Sequence, residues 1–151
     1  MHYYHTQRGP LSSLLALIGV IAWVAALANI NDVRFVLPCG LVGAVMLVLA
    51  LCFGSLTVAD AGQSLLVRFG PLLLFRKRVE YEAISNAQPA QSSFIDGWGI
   101  HYIPGRGWTY NLWGKSCVRL TVSGRTIRIG SDDARNLAGF IQSKIGRSGR
   151  K

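Results

Sequence analysis

The sequence predicts an α+β membrane protein: a two-helix transmembrane hairpin, then a small antiparallel β barrel or sandwich capped by a C-terminal helix. Three observations lead there. Two uncharged apolar runs lie close together, at residues 11–28 and 35–53 of a 151-residue chain. Short runs of strand formers, separated by turn residues, fill the stretch after them. A last segment then changes to helical spacing. Charge follows the same division. Residues 11–53 hold only Asp32 and Arg34, whereas 14 Lys and Arg stand against 6 Asp and Glu from Gly54 onward. Nearly all of the formal net charge of +9 therefore sits on the C-terminal part. Charged residues make up 15% of the chain, against about a quarter in soluble domains. Outside the apolar runs roughly 95 residues remain, enough for one small domain.

Residues 1–10 are expected to be a cytoplasmic tail without order. Tyr3 and Tyr4, just ahead of the first span, are candidates for the interfacial aromatic belt. The first span, residues 11–28 (LSSLLALIGVIAWVAALA), is uncharged over 18 residues, and the second, residues 35–53 (FVLPCGLVGAVMLVLALCF), over 19. A bilayer core of about 30 Å asks for roughly 20 helical residues, so each run suffices. Without water the backbone must satisfy itself, which leaves the helix as the form that spans. The connection Asn29–Arg34 is short and polar and makes the two helices antiparallel neighbours. Pro38 falls in the first turn of the second helix, where a missing N–H costs little. A cleaved signal peptide ending near Ala25–Ala28 is the alternative for the first run. Its length, and the second span that follows at once, favour a hairpin.

Two spans put both termini on one side. The loop between them carries only Arg34. The other side carries Arg8, then Arg68, Arg76, Lys77 and Arg78, so the positive-inside rule puts the termini in the cytoplasm at the inner (cytoplasmic) membrane.

A β domain is expected over residues 55–146. Strand-like runs occupy residues 56–58, 64–69, 74–84, 98–103, 108–113, 117–122 and 126–129, about seven in all. Asp60-Ala61-Gly62, Gly70-Pro71, Pro104–Gly107, Gly114 and Ser123-Gly124 punctuate them. In residues 74–84 the alternation puts Phe75, Lys77, Val79 and Tyr81 on one face and Arg76, Arg78, Glu80 and Glu82 on the other. A helix over residues 132–145 follows, with Ser131-Asp132-Asp133 as N-cap and acidic first turn. Its apolar stripe is Leu137, Phe140, Ile141 and Ile145. Lys144 falls in its last turn and Gly146 takes the C′ position. Residues 147–151 form a basic tail.

The run Gly97-Trp98-Gly99-Ile100, then Tyr110-Asn111-Leu112-Trp113-Gly114, Val118-Arg119-Leu120 and Ile127–Asp133 resembles the pleckstrin-homology-like (PH-like) domains of small bacterial membrane proteins. The resemblance covers residues 55–145, and two preceding spans are common in that group. It implies a PH-like fold and a non-catalytic module.

Residues that carry chemistry are scarce. Cys39 and Cys52 lie 13 positions apart in one apolar run, roughly 20 Å along a helix, too far for a disulfide. With Cys117 they read as small apolar filler. No CxxC occurs, and the three histidines assemble no zinc set, so no metal and no cofactor is expected. No GxSxG, HExxH or Walker-type loop occurs, and no enzyme is expected. Nucleic acid is disfavoured as a partner, because no binding motif accompanies the positive charge.

The candidate surface for anionic lipid headgroups or a protein partner is Arg76, Arg78, Arg106, Trp108, Arg125 and Arg128, with Arg119 and the tail adding charge. The same charges also suit a protein that is basic on its cytoplasmic side for topology alone. A specific phosphoinositide pocket is not expected, because the first hairpin turn, Asp60–Gln63, is acidic and short. The aromatic stretch 94–113 is either the core of the barrel or a surface for a partner or the membrane interface. Trp98, Ile100 and Tyr102 share a face, which favours core for them, while Arg106 and Trp108 beside the turn favour surface. Small residues in the spans, Gly19, Gly40, Gly43 and Ala44, pack the hairpin on itself or pair with another protein's helices. The function expected is a membrane-anchored interaction or scaffold module with a protein partner of unknown identity. The alternative is an accessory or assembly subunit of a larger membrane complex, recognised through its spans.

Overall fold

A computed structural model describes residues 2–72, 74–92 and 98–148. Phe94 and Gly97 lie outside the described residues, as do residues 149–151 of the tail.

The two apolar runs form antiparallel helices, α1 (Leu11–Ala28) and α2 (Val33–Cys52), both long and apolar enough to cross a membrane. Pro10 opens α1, its carbonyl accepting from the Leu14 N–H at 3.0 Å. Asn29 closes it: its backbone N–H bonds to Ala26 O and its side-chain Nδ2 to Ala25 O. Asp32 caps α2, accepting from the Arg34 N–H at 3.0 Å, so this helix begins two residues earlier than the apolar run alone suggests. Pro38 consequently stands inside the helix and past its first turn, and it deprives the Arg34 carbonyl of its usual donor. Gly19 and Gly43 bring the helices together. A Cβ on Gly43 would overlap the Trp23 ring, and one on Gly19 would come 3.0 Å from Leu47 Cγ. Gly40 faces open space. Most side chains on both helices are bare, including Leu17, Val24, Leu37 and Leu41.

The β domain is two sheets rather than a closed barrel. One is antiparallel in the order β1-β2-β3-β4: Tyr4–Gln7, Leu56–Asp60, Ser64–Phe69 and Arg76–Glu80. The other runs β5-β8-β9-β7-β6: Ile84–Gln91, Ser116–Val122, Arg125–Gly130, Gly107–Asn111 and Gly99–Ile103. All its pairs are antiparallel except β7 with β9. Helix α3 (Ala134–Ser148) packs on β5, β8 and a 3-10 turn at Tyr81–Ala83. Leu56, Leu65, Phe69, Leu120, Leu137 and Ile141 are among the fully enclosed side chains between these layers.

Several expectations change. The N-terminal tail is ordered, because residues 4–7 form β1 against β2. The stretch 74–84 is not one strand, since the 3-10 turn divides it and β5 follows. The polar sequence of β5, with Pro89, is tolerated because β5 is a sheet edge. With β1 and β5 the described residues hold nine strands, not seven. Helix α3 starts at Ala134 with Asp133 carrying the first helical bond, Leu137 N–H to Asp133 O. It continues to Ser148, so Gly146 is interior rather than C′, and Lys144 precedes the last turn.

Candidate functional site

The site grows from the way β1 and β2 flank the hairpin. The chain leaves β1 through Arg8-Gly9-Pro10 into α1 and returns from α2 through Phe53-Gly54-Ser55 into β2. Gln7 pairs with Leu56 across the ladder, so both ends of the hairpin leave one edge of one sheet. The base is wedged on every side. Gly70, with a positive φ of 54°, lies against the Leu51 and Cys52 carbonyls, where any Cβ would collide with backbone. Its N–H donates to Ser55 O at 2.7 Å. The Phe53 ring stacks on Phe75 at 5.5 Å and meets Phe69 edge-on at 5.4 Å. Gly9 abuts Trp113, which pairs with Trp98 at 4.5 Å.

Outward-facing residues of the first sheet line up in cross-strand rows. One row is Thr6, Thr57, Arg68 and Arg76; the next is Tyr4, Ala59, Leu66 and Arg78. Arg68 and Arg76 are directly opposed, an unfavourable placing of like charges. Arg8 follows Thr6 toward the hairpin. Among the described residues no carboxylate forms an ion pair with Arg8, Arg68, Arg76 or Arg78. Between this face and the hairpin base lies a cleft of about 830 Å³. Arg8, Arg68, Tyr4, Thr57, Ser12 and Ser13 supply its polar wall, and Ala16, Ala50 and Leu51 its apolar one. Arg68 donates to the Tyr4 hydroxyl at 3.2 Å, and the Thr6 and Thr57 hydroxyls meet at 2.8 Å. Hydrogen bonds from Thr6 and then Arg68 hold the Tyr4 hydroxyl below its usual pKa.

The residues picked from sequence divide into two groups. Arg76 and Arg78 are exposed and join Arg68 near the hairpin. Arg106 sits in the β6–β7 turn and Arg125 opens β9, at the strand ends opposite to those that lead to Trp113 and Gly130. Trp108 is exposed, as expected, and neighbours Tyr102 at 5.7 Å. Arg128 is not a surface residue: it is buried, with Nη1 donating to the Arg106 carbonyl. The core assignment of Trp98 and Tyr102 also fails, since they are 46% and 58% exposed. Tyr102 does share the core-side face with Ile100, in a row with Trp108 and Ile127, but β6 is the edge strand of its sheet and Tyr102 lies beyond the cover that Ile100 has; Trp98 precedes the strand. Tyr3 is not a belt residue. Its hydroxyl donates to Asp133 at 3.0 Å, and its ring stacks on Phe140. Leu72, Leu74 and Phe75, exposed in the β3–β4 connection, extend the apolar rim at the base.

Arg8, Tyr4 and Arg68 were not singled out as a site from sequence, because their meeting depends on a four-residue strand pairing fifty positions away. The alternation of Tyr4, Thr6 and Arg8 was the available signal, too short to stand alone.

Elsewhere the ionisable groups tie elements together. Asp60, its side chain fully enclosed, accepts from Lys144 Nζ at 2.7 Å, from the Tyr81 hydroxyl at 3.0 Å and from the Gly62 N–H at 3.0 Å. Burial works against its charge, but these hydrogen bonds outweigh burial and hold the carboxyl below its ordinary range. Lys144 also lies over the Tyr81 and Phe140 rings. Burial, then the Asp60 carboxylate, pushes the Tyr81 hydroxyl up. His5 meets Asp132 at 2.5 Å, and Gln7 accepts from the Asp132 N–H. Among the described residues no three His, Cys, Asp or Glu side chains gather as metal ligands would.

Neither a protein-family model nor a curated protein matches this chain.

Proposed function

We propose that this chain is a non-catalytic, PH-like interaction or scaffold module, anchored in the inner membrane by its helical hairpin with the β domain and both termini in the cytoplasm. One observation carries the reading. β1, before the hairpin, pairs with β2, after it, so a single domain receives both hairpin ends, and four arginines without a carboxylate partner among the described residues gather at that base. Two long helices with bare apolar flanks make poor water-facing surface and good lipid-facing surface. Arginines at the base suit the cytoplasmic side of a bilayer. The Trp98–Trp113 pair beside Gly9 suits the interfacial belt. The PH-like reading draws on the order of strands followed by an amphipathic C-terminal helix. The non-catalytic reading rests on where the ionisable groups go: Asp60, Lys144, His5 and Asp132 are engaged in joining strands to α3.

The other reading, an accessory subunit recognised through its spans, draws on the open faces of the hairpin, Gly40 among them. Gly19 and Gly43 are already engaged within the hairpin. The test is alkaline carbonate extraction of membranes, followed by replacement of α1 and α2 with an unrelated hairpin of equal length. The module reading expects the native chain to stay in the pellet and the replaced chain to keep its cross-linked partners. Release into the supernatant contradicts anchoring, and loss of partners on replacement moves the function to the spans.

A further inference from the structure

We propose that the cleft between the hairpin base and the outer face of the β1–β4 sheet seats one anionic phospholipid. Its phosphate lies between Arg8 and Arg68 and its acyl chains lie along α1 and α2. The inference rests on the anchoring proposed above and goes beyond it, by naming a site and a ligand class.

The polarity of the cleft changes in the order that a phospholipid requires. Arg8, Arg68, Ser12 and Ser13 line one end, and Ala16, Ala50 and Leu51 line the other. Ala16 is one helical turn beyond Ser12 on the same face of α1, toward the bilayer interior. Ala50 and Leu51 belong to the last turn of α2, and Leu51 is 53% exposed on the lipid-facing side. A headgroup at the polar end therefore leads straight into apolar surface.

The charge of the cleft calls for an anion. Arg68 faces Arg76 across the ladder, Arg8 enters from the adjoining strand, and no carboxylate among the described residues offsets them. A phosphodiester beside Arg68 relieves that repulsion through charge-assisted hydrogen bonds, for which guanidinium geometry is suited. The Tyr4 hydroxyl accepts from Arg68 and keeps its own O–H as a further donor. The lining contains no acid to meet a choline or ethanolamine ammonium, so net-anionic headgroups are preferred over zwitterionic ones. At about 830 Å³ the cleft is far larger than a free phosphate needs and within the range of organic-ligand sites.

The test uses the full chain in nanodiscs of equal parts phosphatidylglycerol and phosphatidylcholine, released for native mass spectrometry. The native chain is expected to carry one phosphatidylglycerol in preference to phosphatidylcholine. Arg8→Gln with Arg68→Gln is expected to lower phosphatidylglycerol retention about tenfold and leave phosphatidylcholine unchanged. Arg119→Gln with Arg135→Gln removes the same charge elsewhere and is expected to stay within about twofold of native. Ala16→Trp fills the apolar end without altering charge and is expected to lose the lipid as well, which covers the case of a misfolded double variant. Equal retention by the Arg8/Arg68 or the Ala16 variant overturns the site, as does an equal loss in the distant control. Displacement of the lipid by millimolar inorganic phosphate overturns it too, since the cleft would then hold a free anion. A chain that never enters nanodiscs overturns the anchoring and this site with it; a chain that enters without headgroup preference overturns the site alone.

Discussion

Asp60 joins three parts of the domain through one carboxylate. Its β2 position brings it to Tyr81 of the 3-10 turn and to Lys144 of α3. Removing one partner of a buried pair leaves the other charge uncompensated. Asp60→Ala is therefore expected to cost roughly 2–3 kcal/mol, below the value for a fully desolvated pair because Lys144 keeps 20% of its side chain exposed. Denaturation of the full chain in detergent measures it, and a cycle with Lys144→Met isolates the pairwise share. The pH dependence follows from the depressed native pKa. Stability from Asp60 is fully present above the ordinary carboxylate value of about 4 and is lost as pH falls through the lower native value. In Asp60→Asn that acid-side slope should shrink. Tyr3 and Tyr81 act on the alkaline side. Both hydroxyls are pushed up, first by burial and then by Asp133 or Asp60. Their contribution is complete below about 10 and is lost as pH rises toward the raised values.

Among the elements, β1 has the largest effect for its length. Four residues close the β2 edge, and Tyr3, His5 and Gln7 reach Asp133 and Asp132 at the start of α3. Tyr3→Phe removes one hydrogen bond and should cost about 1 kcal/mol. Deleting residues 2–7 should do more: amides of β2 lose protection in hydrogen exchange, and the freed edge promotes association. A fragment beginning at residue 55 lacks this strand and is a poor surrogate for the domain. In the hairpin, Gly43→Val has no room beside Trp23 and should push the helices apart. A shift in Trp23 fluorescence together with lower thermal stability in detergent would register it.

These elements also show what a sequence conveys. The hairpin was legible because uncharged runs of this length have few other solutions. α3 was legible because Leu137, Phe140 and Ile141 keep helical spacing while Ser131 and the Asp pair mark its start. β1 was not, since its pairing is non-local and its four residues carry little periodic signal. β5 was hidden by its edge position, which permits Pro89 and a polar run. Alternation correctly put Ile100 and Tyr102 on the core-side face but does not show where the covering layer ends, and at the sheet edge Tyr102 lies beyond it. Arg128 lies on the face opposite to Ile127 and Ile129 and is buried there through its contact with the Arg106 carbonyl of the β6–β7 turn, a contact alternation does not show, while Arg76 and Arg78 were read correctly as outward-facing.

At the scale of the molecule, one sheet receives both ends of the hairpin, and its outer face presents Arg8, Arg68, Arg76 and Arg78 beside the helix ends. Trp98 and Trp113, with Leu72, Leu74 and Phe75, surround the same base. Under the proposed anchoring the base of this domain faces lipid, and Arg106 and Arg125 lie at the strand ends opposite to Trp113 and Gly130. Charge reversal at Arg76 and Arg78 to Glu should then weaken topology and headgroup contact together, whereas reversal at Arg125 should affect neither. Fractionation of labelled membranes would separate those outcomes.

The most direct measurement is cysteine labelling from outside intact cells, in a chain whose native cysteines are replaced by serine. Cysteine is introduced at Asn31, between the helices, and separately at Arg125, the exposed first residue of β9. A membrane-impermeant maleimide is expected to label the Asn31→Cys chain in intact cells and the Arg125→Cys chain only after permeabilisation. Labelling of both positions from one side, or the reverse pattern, would contradict a hairpin that spans the membrane and holds its β domain in the cytoplasm.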